Sequence, residues 1–212
     1  MAKEGSNLVI GTLVLSLVLF FLSVVAKSHV LLVPGALLTG LTLFLIFFFR
    51  DPDREIPEGE NLVLAPADGK IVSLTSFSDN EFIKSSGTRM SIFLSLWDAH
   101  VNRNPISGKI TNLEYHPGRF HPAFGGKSSL ENERMEIWLE NDQLRVVMKQ
   151  IAGVLARRLV CSLRPGDRVL AGNRFGMIKF GSRVDLFLPA CVKIEVKLHQ
   201  KVKAGETIIG RY

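Results

Sequence analysis

Phe175-Gly176-Met177-Ile178-Lys179-Phe180-Gly181-Ser182-Arg183-Val184-Asp185-Leu186-Phe187-Leu188-Pro189 reads as two strands joined at a Gly-Ser step. Apolar residues alternate through its second half, and Gly181 supplies backbone freedom where the strands meet. Outward from it, the chain beyond Asn61 keeps the same character. Leu62-Val63-Leu64, Met90 to Leu96, Arg145 to Met148 and Val192 to Val196 are β-branched or alternating, and turn residues divide them. No long run with a 3.6-residue period stands out. Ile151 to Leu163 is mostly apolar, and its periodicity fits a short helix or a buried strand equally. The expected fold is a β-rich (α+β) domain over 61–212, barrel- or sandwich-like.

A faint internal repeat supports that class. Pro66-Ala67-Asp68-Gly69-Lys70-Ile71-Val72-Ser73-Leu74 and Pro105-Ile106-Ser107-Gly108-Lys109-Ile110-Thr111-Asn112-Leu113 share the pattern P-x-x-G-K-I-x-x-L. A second echo pairs Arg164 to Gly172 with Gln200 to Thr207. Each sets a glycine-bearing turn beside a short β-branched strand, as compact barrels and sandwiches do.

The first fifty of the 212 residues are different. Gly5 to Ala26 and Val30 to Phe49 are uncharged apolar stretches of about 20 residues, the length of helix that spans a bilayer core. Lys27-Ser28-His29 reads as a tight turn between them, so residues 1–49 are expected to form a hairpin of two transmembrane helices. The start lacks the strongly basic character of a signal peptide. Lys3 precedes the first span, Lys27 lies in the turn, and Arg50 and Arg54 follow the second. The positive-inside rule then favours both ends in the cytoplasm. Residues 50–60 form a polar linker, whose Pro52, Pro57 and Gly59 forbid a continuing helix. Nearly all of the net charge of +6 belongs to the chain after Phe49, which suits a domain tethered beside anionic lipid. Nucleic acid is not expected as a partner, since no stacking aromatics accompany the charge. Cys161 and Cys191 are too few for a disulfide framework, and neither has ligand spacing for a metal.

At Gly181-Ser182 the residues permit one unusual reaction. The Ser182 hydroxyl can attack the carbonyl carbon of Gly181, giving an ester by N-to-O acyl shift. β-Elimination then leaves a dehydroalanine that hydrolyses to a pyruvoyl group. Such a step needs a base for the hydroxyl proton and donors for the developing oxyanion. On the dipeptide alone, a plain hairpin or bulge accounts for it as well. Asp68 sits in a Pro-Ala-Asp-Gly turn that its own side chain can stabilise. His100 follows an apolar strand, and imidazole is the side chain best suited to proton transfer near neutral pH. His116 and His121 are reserve bases; His199 reads as an exposed strand residue. Arg134, Arg157 and Arg158 could meet phosphate or carboxylate, and for each a solvated charge is the plainer reading.

An ordered set of motifs runs the length of the chain: Phe48-Phe49-Arg50-Asp51-Pro52-Asp53-Arg54, Ala65-Pro66-Ala67-Asp68-Gly69-Lys70, Asp98-Ala99-His100-Val101-Asn102-Arg103, Tyr115-His116-Pro117-Gly118, Glu131-Asn132-Glu133-Arg134, Gln150-Ile151-Ala152-Gly153, Ala156-Arg157-Arg158 and Phe180 to Pro189. With its apolar anchor, this order resembles the phosphatidylserine decarboxylase proenzyme family, in its short bacterial and archaeal branch. The resemblance implies self-cleavage at Gly181-Ser182 into a β chain 1–181 and an α chain 182–212 that stay together as a heterodimer. It implies a covalent pyruvoyl group made from Ser182, which forms a Schiff base with phosphatidylserine and yields phosphatidylethanolamine. No metal is expected. Asp68 would join the charge relay of self-cleavage with His100 as its base. Here the sequence departs from the longer branch, which has two histidines three apart where this chain has His100 and Arg103. Tyr115 to His121 would form a loop near the substrate. The expected place is the cell membrane with the catalytic domain on the cytoplasmic side; homo-oligomerisation is left open. Two other readings are the same chemistry on archaetidylserine, and a non-catalytic β-rich membrane adaptor of barrel-sandwich type.

Overall fold

The computed structural model describes residues 1–121, 131–153, 159–179 and 182–212. The chain divides into two compact units, Met1–Pro52 and Asp53–Tyr212.

In the first unit, α1 (Lys3–Val25) and α2 (Leu32–Phe48) are joined by a turn in which Lys27 takes φ 45°, followed by a single 3-10 turn at His29–Leu31. Pro34 falls in the first turn of α2, where its missing N–H has no intrahelical partner to lose. α1 and the helical run His29–Phe48, which joins the 3-10 turn to α2, are each long and apolar enough to cross a membrane, and most of their apolar side chains point outward. The faces that meet are small and hydroxylated instead. Ser16 Oγ donates to the Gly35 carbonyl at 3.0 Å, and Thr42 Oγ1 donates to Thr12 Oγ1 at 3.0 Å. Small residues and hydroxyl bonds hold helices together where lipid offers no hydrophobic drive to pair them.

The second unit is β-rich. Its described strands are β1 (Leu62–Leu64), β2 (Gly69–Phe77), β3 (Gly87–Leu94), β4 (Val101–Arg103), β5 (Gly108–His116), β6 (Arg134–Glu140) and β7 (Arg145–Ile151). They continue with β8 (Leu159–Cys161), β9 (Arg168–Val169), β10 (Arg174–Ile178), β11 (Ser182–Pro189), β12 (Lys193–Ile194), β13 (Lys201–Val202) and β14 (Ile208–Arg211). Eight of them form a curled half-barrel sheet in the order β13-β2-β3-β11-β7-β6-β5-β9. Two three-stranded sheets, β1-β14-β12 and β4-β10-β8, accompany it. The inner face of the large sheet carries the main core, with Ile92, Ile137, Met148, Val184 and Leu186 fully buried. On the opposite face Phe82 stacks on Trp138 at 4.7 Å, beside Phe77 and Phe187.

The repeat in the sequence is an architectural one. The sheet order is symmetric about the β11–β7 pair, so β2 answers to β5 and β13 to β9. Both long strands carry a register shift at the same place, between Ile71 and Ser73 in β2 and between Ile110 and Asn112 in β5. Such bulges sharpen the local twist and help a sheet curl. The edge strands repeat the correspondence: Lys201 pairs with Lys70, and Arg168 with Lys109.

Other sequence expectations take definite form. The segment Ile151 to Leu163 ends β7 and supplies β8, while 154–158 lie outside the described residues. His199 is exposed as expected, but it is not in a strand. It occupies a turn with φ 69°, and its N–H donates to the Ile71 carbonyl at 2.8 Å. Alternation read along the sequence cannot register a left-handed residue that a turn demands.

Candidate active site

The cross-strand register brings most of the singled-out residues to one end of the large sheet. A continuous row of paired residues runs His116–Arg134–Ile151–Arg183–Phe93–Lys70–Lys201 across seven strands. Ser182, the first residue of β11, stands one position from this row and pairs with Leu94. Asp68 precedes β2 at the same end, and the turn from Ser95 to His100 leaves β3 there. Motifs far apart in the chain are therefore neighbours in the sheet.

Ser182 is fully buried. Successive strand residues face opposite ways, so it shares the inner face with Val184, Leu186 and Leu188. Its Oγ makes no hydrogen bond among the described residues. A buried hydroxyl without a partner costs roughly 1–3 kcal/mol, so its presence calls for a reason. Conversion of that side chain to a pyruvoyl group would replace the unsatisfied hydroxyl, so the site fits the group. Gly181 lies outside the described residues, as do Arg157 and Arg158.

His100 is fully buried at the entrance to β4, and its carbonyl accepts from the Ile178 N–H at 3.4 Å. It thus lies beside the end of β10, four residues before Ser182. Asp98 fixes the turn that delivers it, accepting from the Ser95 N–H at 2.8 Å and the Ser95 hydroxyl at 2.6 Å. Asn102 and Asn104, which follow His100 at every second position, are buried with it.

Asp68 has a different setting from the local turn its sequence suggests. Arg54 Nη2 donates to both of its oxygens, at 2.9 and 2.7 Å, and the Ala204 N–H donates to Oδ1 at 2.7 Å. Arg54 also reaches Glu206 at 3.3 Å. Burial works to raise the Glu206 pKa, but hydrogen bonds from Lys203 and Arg54, with their charges, outweigh it and hold the carboxyl below its ordinary value. Asp68, Asp98, Lys201, Lys203 and Glu206 border a groove of about 570 Å³.

The two reserve histidines face carboxylates: His116 lies 3.5 Å from Glu114, and His121 lies 3.2 Å from Glu131. Asn132 holds the loop between them. Its Nδ2 donates to the His121 carbonyl at 2.8 Å and to the Ala152 carbonyl at 2.7 Å, and its Oδ1 accepts the His121 N–H at 3.0 Å. The Glu131-Asn132-Glu133-Arg134 motif is in this respect a staple between the loop and the end of β7. Of the cysteines, Cys161 packs against the core, and burial pushes its thiol pKa up, so it is a poor nucleophile.

Several participants carried no assigned role in the sequence. Gln150 donates through Nε2 to Asn102 Oδ1 at 2.8 Å, and Asn102 Nδ2 reaches the Pro66 carbonyl at 3.5 Å. Arg183 and Asp185 form a buried ion pair at 2.8 Å on the outer face; burial draws the Arg183 pKa down and Asp185 opposes that shift. A signal existed for Gln150. It interrupts the inward apolar series Val146, Met148 with a polar group.

Comparison with known proteins gives the family. The family model for phosphatidylserine decarboxylase matches residues 41–210. A phosphatidylserine decarboxylase proenzyme of Chlorobium phaeobacteroides is 45% identical over 210 residues, covering 99% of this chain and 98% of its own. Another from the same species is 52% identical over 173 residues, covering 82% of this chain and 81% of its own. The proenzyme of Chlorobaculum tepidum is 44% identical over 212 residues, covering 99% of this chain and 97% of its own. With the motifs in order and the model spanning most of the sequence, the chain belongs to the phosphatidylserine decarboxylase family.

Proposed function

We propose that this decarboxylase is made as a proenzyme that cuts itself between Gly181 and Ser182. The Ser182 Oγ–carbon bond forms as the peptide C–N bond breaks, and the hydroxyl proton ends on the Ser182 nitrogen. Loss of the Ser182 α-proton then expels residue 181 as a carboxylate, and water releases ammonia from the remaining dehydroalanine. The observation that carries this reading is the Ser182 hydroxyl, buried and without a hydrogen bond among the described residues. Converted to a pyruvoyl group, Ser182 supplies a carbonyl that takes up the phosphatidylserine amine and draws off the electron pair as carbon dioxide leaves.

His100 is proposed as the base for the hydroxyl proton, supported by its burial beside the end of β10. Asp68 is proposed as its relay partner. The Pro66 carbonyl accepts from the Arg103 N–H at 3.0 Å, which ties the Asp68 turn to the strand that His100 enters. The paired length of β11 supports a lasting heterodimer of chains 1–181 and 182–212. Ser182 to Pro189 pair residue by residue with β3, and Arg183 to Phe187 pair with β7, so a cut before Ser182 breaks none of these pairings. The basic residues at Lys3, Arg50 and Arg54 support a catalytic unit on the cytoplasmic side of the cell membrane.

Mass spectrometry of the purified protein tests the reading. The expected result is two chains, the smaller beginning at residue 182 with a blocked N-terminus. Ser182→Ala should leave one intact chain that releases no carbon dioxide from phosphatidylserine. Decarboxylation by that variant would remove Ser182 from the mechanism.

A further inference from the structure

We infer that Gln150 is a positioning residue for self-cleavage, its amide oxygen accepting the Ser182 hydroxyl hydrogen and so aiming Oγ at the carbonyl carbon of residue 181. The inference rests on the self-cleavage reading above and adds a residue to it.

Register places the two side chains together. Gln150 pairs with Val184 across β7 and β11, and Ser182 lies two residues from Val184 on the same face. Diagonal neighbours of this kind lie about 7–8 Å apart along the backbone, within reach of a long side chain. Both are fully buried. The orientation of the Gln150 amide is fixed by what surrounds it. Its Nε2 lies 3.4 Å from the Val160 carbonyl, which can only accept, and 2.8 Å from Asn102 Oδ1. Asn102 is oriented in the same way, because its Nδ2 faces the Pro66 carbonyl. Two backbone carbonyls therefore set both amides, and Gln150 Oε1 is left as the acceptor. Among the described residues that oxygen has no hydrogen-bond partner, and neither does Ser182 Oγ. A buried acceptor and a buried donor, both unsatisfied, share one face of adjacent strands.

The two oxygens are not hydrogen-bonded to each other in the structure. A hydrogen bond formed between them would restrict the Ser182 rotamer, point the hydroxyl hydrogen at Gln150 and leave an Oγ lone pair to face the carbonyl carbon of residue 181. An amide oxygen is too weak a base to keep the proton. As the Oγ–carbon bond forms, the proton passes to the base and then to the Ser182 nitrogen as the C–N bond breaks. Gln150 thus acts on the first step, before any ester exists.

The test is a double-mutant cycle on the full-length protein, following chain cleavage by mass spectrometry after synthesis. Gln150→Leu should slow cleavage about 10- to 100-fold, the range for one buried hydrogen bond. In a Ser182→Cys background the same change should slow cleavage less than about threefold, because a thiol is a weak donor and gains little from the acceptor. No slowing in the serine background, or equal slowing in both, overturns the role. Hydroxylamine, which cuts an ester, should not restore cleavage to Gln150→Leu; restoration to the unsubstituted rate overturns it also. If Gln150→Leu lacks a cooperative melt, Gln150→Glu replaces it. That variant keeps an acceptor oxygen, so its cleavage rate relative to the unsubstituted chain should rise with pH as the new carboxyl ionises; a flat ratio overturns the inference. An unsubstituted chain that stays intact sinks the self-cleavage reading and this inference together, whereas the other failures sink only Gln150.

Discussion

Ser182 and Asp68 show how far a residue's neighbours decide its meaning. Aspartate in a tight turn ordinarily bonds its own backbone. Asp68 instead takes two bonds from Arg54 and one from Ala204, residues 14 and 136 positions away. The cluster extends through Arg54 to Glu206, whose lowered pKa makes a testable statement. A carboxyl held below its unfolded value adds stability that is fully present above the ordinary value of 4.5 and is lost as pH falls through the folded value. Glu206→Gln should therefore flatten the acid limb of a stability–pH curve below about pH 4.5. Denaturant melts at stepped pH would show it, and an unchanged acid limb would mean that Glu206 does not carry the effect.

Among the elements, β2 and β5 carry the clearest instruction. Their shared P-x-x-G-K-I-x-x-L pattern encodes two nine-residue strands with bulges in matching places. The two glycines are required for related reasons. A Cβ on Gly69 would run into the Phe93 carbonyl, and one on Gly108 into the Glu140 carbonyl. Gly69 also has φ 149°, which side-chain-bearing residues rarely adopt. Gly69→Ala should thus cost about 2–3 kcal/mol, more than the roughly 1–2 kcal/mol expected of Gly108→Ala. Equilibrium urea unfolding of the two variants measures the difference. Equal losses would mean that the carbonyl contact alone, without the backbone angle, sets the cost.

For the whole molecule, the two units divide the work by solvent. The helical hairpin pairs through glycine and hydroxyl groups and exposes its apolar side chains, whereas Asp53–Tyr212 contains its own buried core. A chain reduced to Asp53–Tyr212 is expected to keep the proposed self-cleavage, since Ser182, His100 and Gln150, the residues proposed to carry it, all lie within it. It should lose at least about tenfold in decarboxylation of vesicle-borne phosphatidylserine, because the anchor no longer holds the catalyst at its substrate's surface. Detergent-dispersed substrate should restore the rate. An equal loss in detergent would locate the defect in the catalytic unit itself.

The hairpin, the β-rich class and the repeat were legible in the sequence because each depends on local composition or a short period: twenty apolar residues, alternation by two, a glycine in a fixed place. The candidacy of Ser182 was legible only through the order of motifs around it. What the tertiary structure decided was which strands are neighbours and in what register. Alternation shows that Gln150 and Ser182 each face inward or outward, but not that they face the same way on adjoining strands. It cannot show that Asp68 would be claimed by Arg54, nor that the buried Ser182 hydroxyl would lack a partner among the described residues. Those facts follow from non-local pairing, whose closure across a hundred or more residues is invisible to any window of sequence. Gly181-Ser182 supplies the bond proposed to be cut, and the curled sheet supplies the setting, in which the Ser182 hydroxyl is buried and Gln150 Oε1 on the adjoining strand has no hydrogen-bond partner among the described residues.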